Sequence, residues 1–161
     1  MSLKLLLVPL VAEQKPLWRT SPYPAERIAE AQSLLEQAKR KRQDNPDLAK
    51  YSFNLFFRNN IELWRLSGKI FDFNALSTEV LGILEEITPS EDGLNSDYID
   101  TDPRDVTFFL RNYNFQGGEQ IRTADLAAEY GVTVAVVHSR SGKIAKMIVD
   151  RLQEKEIIAE F

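Results

Sequence analysis

The chain has 161 residues, 43% of them hydrophobic and 27% charged, with a net charge of −4. That is apolar material for one packed domain, and seven Gly with seven Pro exclude a collagen-like or broadly disordered composition. The absence of cysteine excludes disulfides, thiolate metal sites and cysteine nucleophiles, and fits a reducing compartment.

The charge is segregated along the chain. Residues 1–70 hold 12 Lys/Arg against 7 Asp/Glu, residues 71–120 hold 2 against 11, and residues 121–161 hold 6 of each. An acidic chain is poorly suited to non-specific nucleic-acid binding, which depends on neutralising phosphates. Segregation leaves room for a local basic face to act while the acidic segment points elsewhere.

In chain order, residues 4–11 form a short apolar run, expected as an edge strand or an extended arm because Pro9 argues against a central strand. The run is too brief for a membrane span of ~20 residues and lacks the cleavage site of a signal peptide, so a soluble, cytoplasmic chain is expected. Residues 14–24 carry three prolines and read as loop. A helix is predicted from Pro24, with Ile28, Ala31, Leu35 and Ala38 inward. It closes on Lys39, Arg40, Lys41 and Arg42, cations that suit the negative end of the helix dipole. After a turn at residues 44–47, residues 48–67 predict the most hydrophobic helix, ended by Gly68. A further helix is predicted over 75–87, with Asn74 as its cap and Leu76, Val80, Leu84 and Ile87 inward.

Residues 88–101 read as an acidic linker, dividing a helical N-terminal part (1–87) from a helical C-terminal part (102–161). Residues 102–105 predict a capped start to a short helix carrying Val106, Phe109, Leu110 and Tyr113. Residues 114–119, with Gly117 and Gly118, predict a loop. The fold class expected is all-α, a helical bundle with a C-terminal helix-turn-helix.

That last motif rests on residues 122–152. Thr123 is a candidate cap for a helix over 124–130, Gly131 fits the left-handed position that ends it, and Thr133 caps a second helix directly afterwards. Leu126, Val132 and Val137 form an apolar seam, and Ala127 is small where two helices would cross. A three- to four-residue turn between such helices is the length a helix-turn-helix uses. The spacing of Ala127, Gly131 and Val137 resembles the helix-turn-helix of bacterial regulators and, distantly, the last region of sigma factors. Arg140 departs from that pattern, which has an aliphatic residue there. Gly142 adds a helix-weakening residue, so the second helix is expected to bend or restart at Lys143.

The resemblance implies DNA binding through Thr133, Ala135, His138, Ser139, Arg140 and Lys143. Thr133 and the helix N-terminus would hold a phosphate. His138, Ser139 and Arg140 would reach base edges, with Arg suited to guanine. Charge on this face is lean, so a protein partner or a second copy is expected to share the contact. Lys39, Arg40, Lys41 and Arg42 form a second candidate patch for phosphate, or else a solvated helix end. Tyr51, Phe53, Phe57 and Trp64, among Arg58 and Arg65, are candidates for base stacking or, more simply, for the core.

Two other readings stand beside this one. The first is a small helical structural subunit of a nucleoprotein complex, in the manner of CRISPR effector small subunits, touching nucleic-acid backbone without sequence preference. The second is a protein-only adaptor. Asp92, Asp97, Asp100, Asp102 and Asp105 lack the ligand spacing of a calcium loop. His138 is the only histidine, and nothing beside it builds a triad or a metal set. A non-enzymatic protein without a cofactor is therefore expected.

Overall fold

A computed structural model describes residues 22–57, 73–90 and 101–157. These form six helices: α1 (Ala25–Asp44), α2 (Pro46–Phe57), α3 (Phe73–Ile87), α4 (Pro103–Asn112), α5 (Thr123–Tyr130) and α6 (Val134–Glu154). The fold is all-α, as composition and periodicity predict, and no strand occurs among the described residues. None of the described helices is long and apolar enough to cross a membrane. The expected arm at 4–11, the helical continuation over 58–67, the stop at Gly68 and the acidic stretch 91–100 lie outside the described residues.

Helix α1 buries Ile28, Ala31, Leu35 and Ala38, the stripe its spacing predicts. It begins after Pro24 and runs through the basic run to Asp44. Helix α3 buries Leu76, Val80, Leu84 and Ile87, also as predicted. It starts before the expected cap. Asn74 lies inside its first turn, where its carbonyl accepts a hydrogen bond from the Thr78 hydroxyl at 3.0 Å.

Helix α4 is central. Seven of its ten residues are buried, and it packs against α1, α5 and α6. Two adjacent residues divide its work, because neighbours on a helix point about 100° apart. Phe109 joins the main core cluster, with Leu35, Val80, Leu84, Ile87, Ile144 and Ile148. Phe108 joins a smaller cluster with Leu126, Ala127 and Val137, and meets Tyr130 edge-on with 5.0 Å between ring centroids. The main cluster draws on both sides of the 88–101 segment, whose Thr88, Ser90 and Thr101 are themselves buried.

Three helices end on the same device. After α4, α5 and α6 the chain steps into the left-handed region at Asn114, Gly131 and Glu156, with φ of 54°, 65° and 58°. The amide of the residue after each left-handed position then donates to a carbonyl five residues back: Phe115 to Leu110, Val132 to Ala127 and Ile157 to Leu152. Each turn tucks an apolar residue, Phe115, Val132 or Ile157, under the helix it ends.

Two local expectations about the last helices are corrected. Thr123 lies inside α5 and Arg122 is the cap position; the Thr123 hydroxyl donates instead to Asn112 Oδ1 at 2.9 Å, tying α5 to the end of α4. Helix α6 neither bends into two nor restarts at Lys143, but runs unbroken for 21 residues through Gly142. Burial of Val137, Ile144, Ile148 and Leu152 on one face exceeds the ~1 kcal/mol penalty of one helical Gly.

Two glycines respond oppositely to the same change. A Cβ meets nothing within 4 Å at either Gly131 or Gly142, so backbone conformation alone decides. Gly131→Ala forces a left-handed Ala and is expected to destabilise by about 1 kcal/mol. Gly142→Ala is expected to stabilise by about 0.5–1 kcal/mol. Denaturant unfolding of the two variants checks the sign.

Candidate nucleic-acid interface

The turn between α5 and α6 is three residues, Gly131 to Thr133. Thr133 Oγ1 accepts from the Val136 amide at 3.3 Å, the predicted cap. Val137 is fully buried against Leu126, Ala127 and Phe108, and Val132 packs beside them. This small cluster holds the first turns of α6 across α5 with their outer face in solvent.

On that outer face Thr133, Val134, Ala135, His138, Ser139, Gly142, Lys143 and Lys146 are exposed. At about 100° per residue, Ala135, Ser139, Lys143 and Lys146 form the middle of the strip, while His138 and Arg140 lie on opposite flanks. The predicted residues are thus brought to one helix face, except that Arg140 is only partly exposed and bends towards α4.

Arg140 faces the start of α4. Its Nη1 donates to Asp105 Oδ1 at 2.8 Å and to Asp102 Oδ2 at 3.4 Å. Lys143 Nζ lies 3.4 Å from the other Asp105 oxygen, and Arg104 Nη2 lies 3.6 Å from Asp102. Asp102 also caps α4 by accepting from the Arg104 amide at 2.8 Å. The Asp105 side chain is only 3% exposed, against 31% for Arg140. A carboxylate so buried needs a cation close by, because desolvating an unpaired charge costs several kcal/mol. The hydrogen bond it donates to Asp105 accordingly holds the Arg140 guanidinium above its ordinary pKa. This corrects the role expected for Arg140. It positions α6 on α4 and does not stand free to read guanine.

The second patch divides as well. Arg42 is buried, its guanidinium 5.3 Å from the centre of the Phe115 ring, and burial pushes its pKa down to about 10. It is therefore not a surface contact, contrary to expectation. Lys39 is held by Glu85 at 2.6 Å, with Glu36 at 3.8 Å. Arg40 and Lys41 are exposed. Tyr51 is exposed and its hydroxyl donates to Gln120; the side chains of Phe53, Phe57, Arg58, Trp64 and Arg65 lie outside the description.

A further network, invisible in the sequence, pins α5. The Tyr130 hydroxyl donates to Glu30 of α1 and accepts from Arg111 of α4 at 3.2 Å. Arg111 also pairs with Glu129 at 2.8 Å and lies 5.6 Å from the Tyr130 ring centre. Burial, reinforced by Glu30, pushes the Tyr130 hydroxyl up to about 12. The Arg111 guanidinium holds the Glu129 carboxyl below its usual range. Among the described residues no group of three His, Cys, Asp or Glu is placed to hold a metal ion. Compared with protein-family models, curated proteins and solved structures, the chain has no match.

Two measurements check this geometry. Arg140→Ala is expected to destabilise by about 2–3 kcal/mol, because it leaves a buried carboxylate with only the longer contact to Lys143, whereas Arg40→Ala changes stability by less than about 0.5 kcal/mol. Denaturant midpoints of the two variants decide it. Tyr130 should ionise near pH 12 rather than 10 in a spectroscopic titration compared with Tyr130→Phe. The folded state keeps that proton longer than the unfolded chain, so Tyr130 makes stability fall as pH rises from 10 to 12.

Proposed function

We propose that this is a non-enzymatic nucleic-acid-binding protein that docks the first turns of α6 on duplex DNA, with α5 as the supporting helix of a helix-turn-helix. The observation that carries this reading is the exposed strip Thr133–Ala135–Ser139–Lys143, held over a three-residue turn by the buried Val137. Small side chains along its middle let a helix approach a groove closely. The Thr133 cap and the free amides of the first turn suit a phosphate, and Lys143 and Lys146 supply positive charge farther along.

Base reading falls to His138 and Ser139, since Arg140 is engaged with Asp102 and Asp105. The strip carries few cations, and α5 beside it exposes Asp125 and Glu129. Affinity of a single copy is therefore modest, and a second copy or a protein partner supplies the remaining contacts. A regulator or accessory factor acting from a cytoplasmic location fits this arrangement. The basic run at the end of α1 lends less weight to the structural-subunit reading, because Arg42 is buried and Lys39 is paired.

The test is anisotropy of labelled duplex and single-stranded DNA with the purified chain at about 50 and 200 mM salt. Ser139→Glu sets a carboxylate in the middle of the strip without touching the core. It is expected to weaken duplex binding about tenfold or more while leaving the denaturation midpoint unchanged. Absence of binding to either form of DNA at the lower salt would sink this function and leave the protein-only adaptor. Equal, salt-sensitive binding of both forms that survives Ser139→Glu but is lost on neutralising Lys39, Arg40 and Lys41 would favour the structural subunit.

A further inference from the structure

The cluster at the start of α4 does more than position a helix, because its members are held unequally. Asp105 is buried and grips Arg140 at 2.8 Å. Its contact with Lys143 is 3.4 Å long, and the Lys143 side chain is 48% exposed at the middle of the α6 strip. Asp102 reaches Arg140 only at 3.4 Å and Arg104 at 3.6 Å. Among the described residues two carboxylates thus face three cations, with one tight inner pair and a looser outer shell.

We propose that Asp102 and Asp105 are an internal competitor for nucleic-acid phosphate, and that Lys143 is the cation they exchange. This rests on the duplex-binding reading above and names what regulates that site. Without ligand, the outer Asp105 oxygen draws Lys143 towards α4. A phosphate arriving along the strip offers Lys143 a full negative charge in solvent, and Asp105 remains satisfied by Arg140. Arg140 stays in place because leaving would strand a buried carboxylate. Asp102 sets the balance. Its charge shares Arg140 with Asp105, so Asp105 keeps more hold on Lys143. Removing that charge gives Arg140 wholly to Asp105 and loosens the Asp105 hold on Lys143.

The experiment compares wild type, Asp102→Asn, Glu26→Gln, and Asp102→Asn combined with Lys143→Gln, each with a 20-base-pair duplex of random sequence across a salt series. Asn caps a helix as well as Asp does, so Asp102→Asn keeps the start of α4. Glu26→Gln makes the same change of net charge at an exposed position of α1. Asp102→Asn is expected to tighten binding about threefold to fivefold at low salt. The log–log salt slope should steepen by about 0.9, the value of one added phosphate contact. Both gains should vanish with Lys143→Gln, and Glu26→Gln should match wild type. If wild type binds and Asp102→Asn is no tighter, the proposal is overturned and the duplex-binding reading stands. The same holds if Glu26→Gln tightens equally, or if the gain survives Lys143→Gln. If wild type does not bind, the duplex-binding reading itself fails and takes the proposal with it.

Discussion

A carboxylate buried at the start of a ten-residue helix constrains the whole C-terminal half. Helix α4 is covered on most sides, so its N-terminal charge at Asp105 must be answered from within the protein. Arg140 is the answer, and a guanidinium answering from α6 fixes how that helix lies along α4. The apolar contacts then fall into place in two sets, one led by Phe108 and one by Phe109. Neither set alone distinguishes one register of α6 from its neighbours as sharply as a buried charge that must meet a cation of α6.

Much of this was legible in the sequence, for definite reasons. Apolar residues three and four apart in α1 and α3 face inward as their spacing requires. Gly131 and Thr133 mark a chain reversal because few other residues satisfy a left-handed position or a helix N-terminus. What was hidden depends on residues far apart in the chain. Lys39 to Arg42 reads as one uniform patch, yet four consecutive residues wrap most of the way round a helix, so one of them must point inward. Which one is decided by Phe115, over seventy residues downstream. Gly142 reads as a break, but long-range burial on the opposite face of α6 outweighs its local preference.

Of the candidate site, sequence spacing located the strip on α6 but not the electrical state of its members. Arg140 and Asp105 stand 35 positions apart, and no local pattern joins them. The cap expected at 102–105 was visible, whereas the second duty of Asp105 was not, because a helix start ordinarily explains its acidic residues by itself. The network of Tyr130, Glu30 and Arg111 was missed for the same reason, since its three members come from three helices. The consequence for function is that charge on this surface cannot be counted residue by residue. Lys143 and Arg140 are equal in sequence and unequal in availability.

Helix α6 extends well beyond the strip it presents. Its far end is fastened to α3 by Arg151 and Lys155, which reach Glu86 at 3.2 and 3.5 Å. Twenty-one unbroken residues make a rod about 30 Å long with no joint between its ends. A push on the first turns is therefore carried past α4, where Arg140 holds the rod to Asp105, towards the Glu86 anchorage on α3. In mechanical terms α6 is a lever that pivots on α4 and bears on α3.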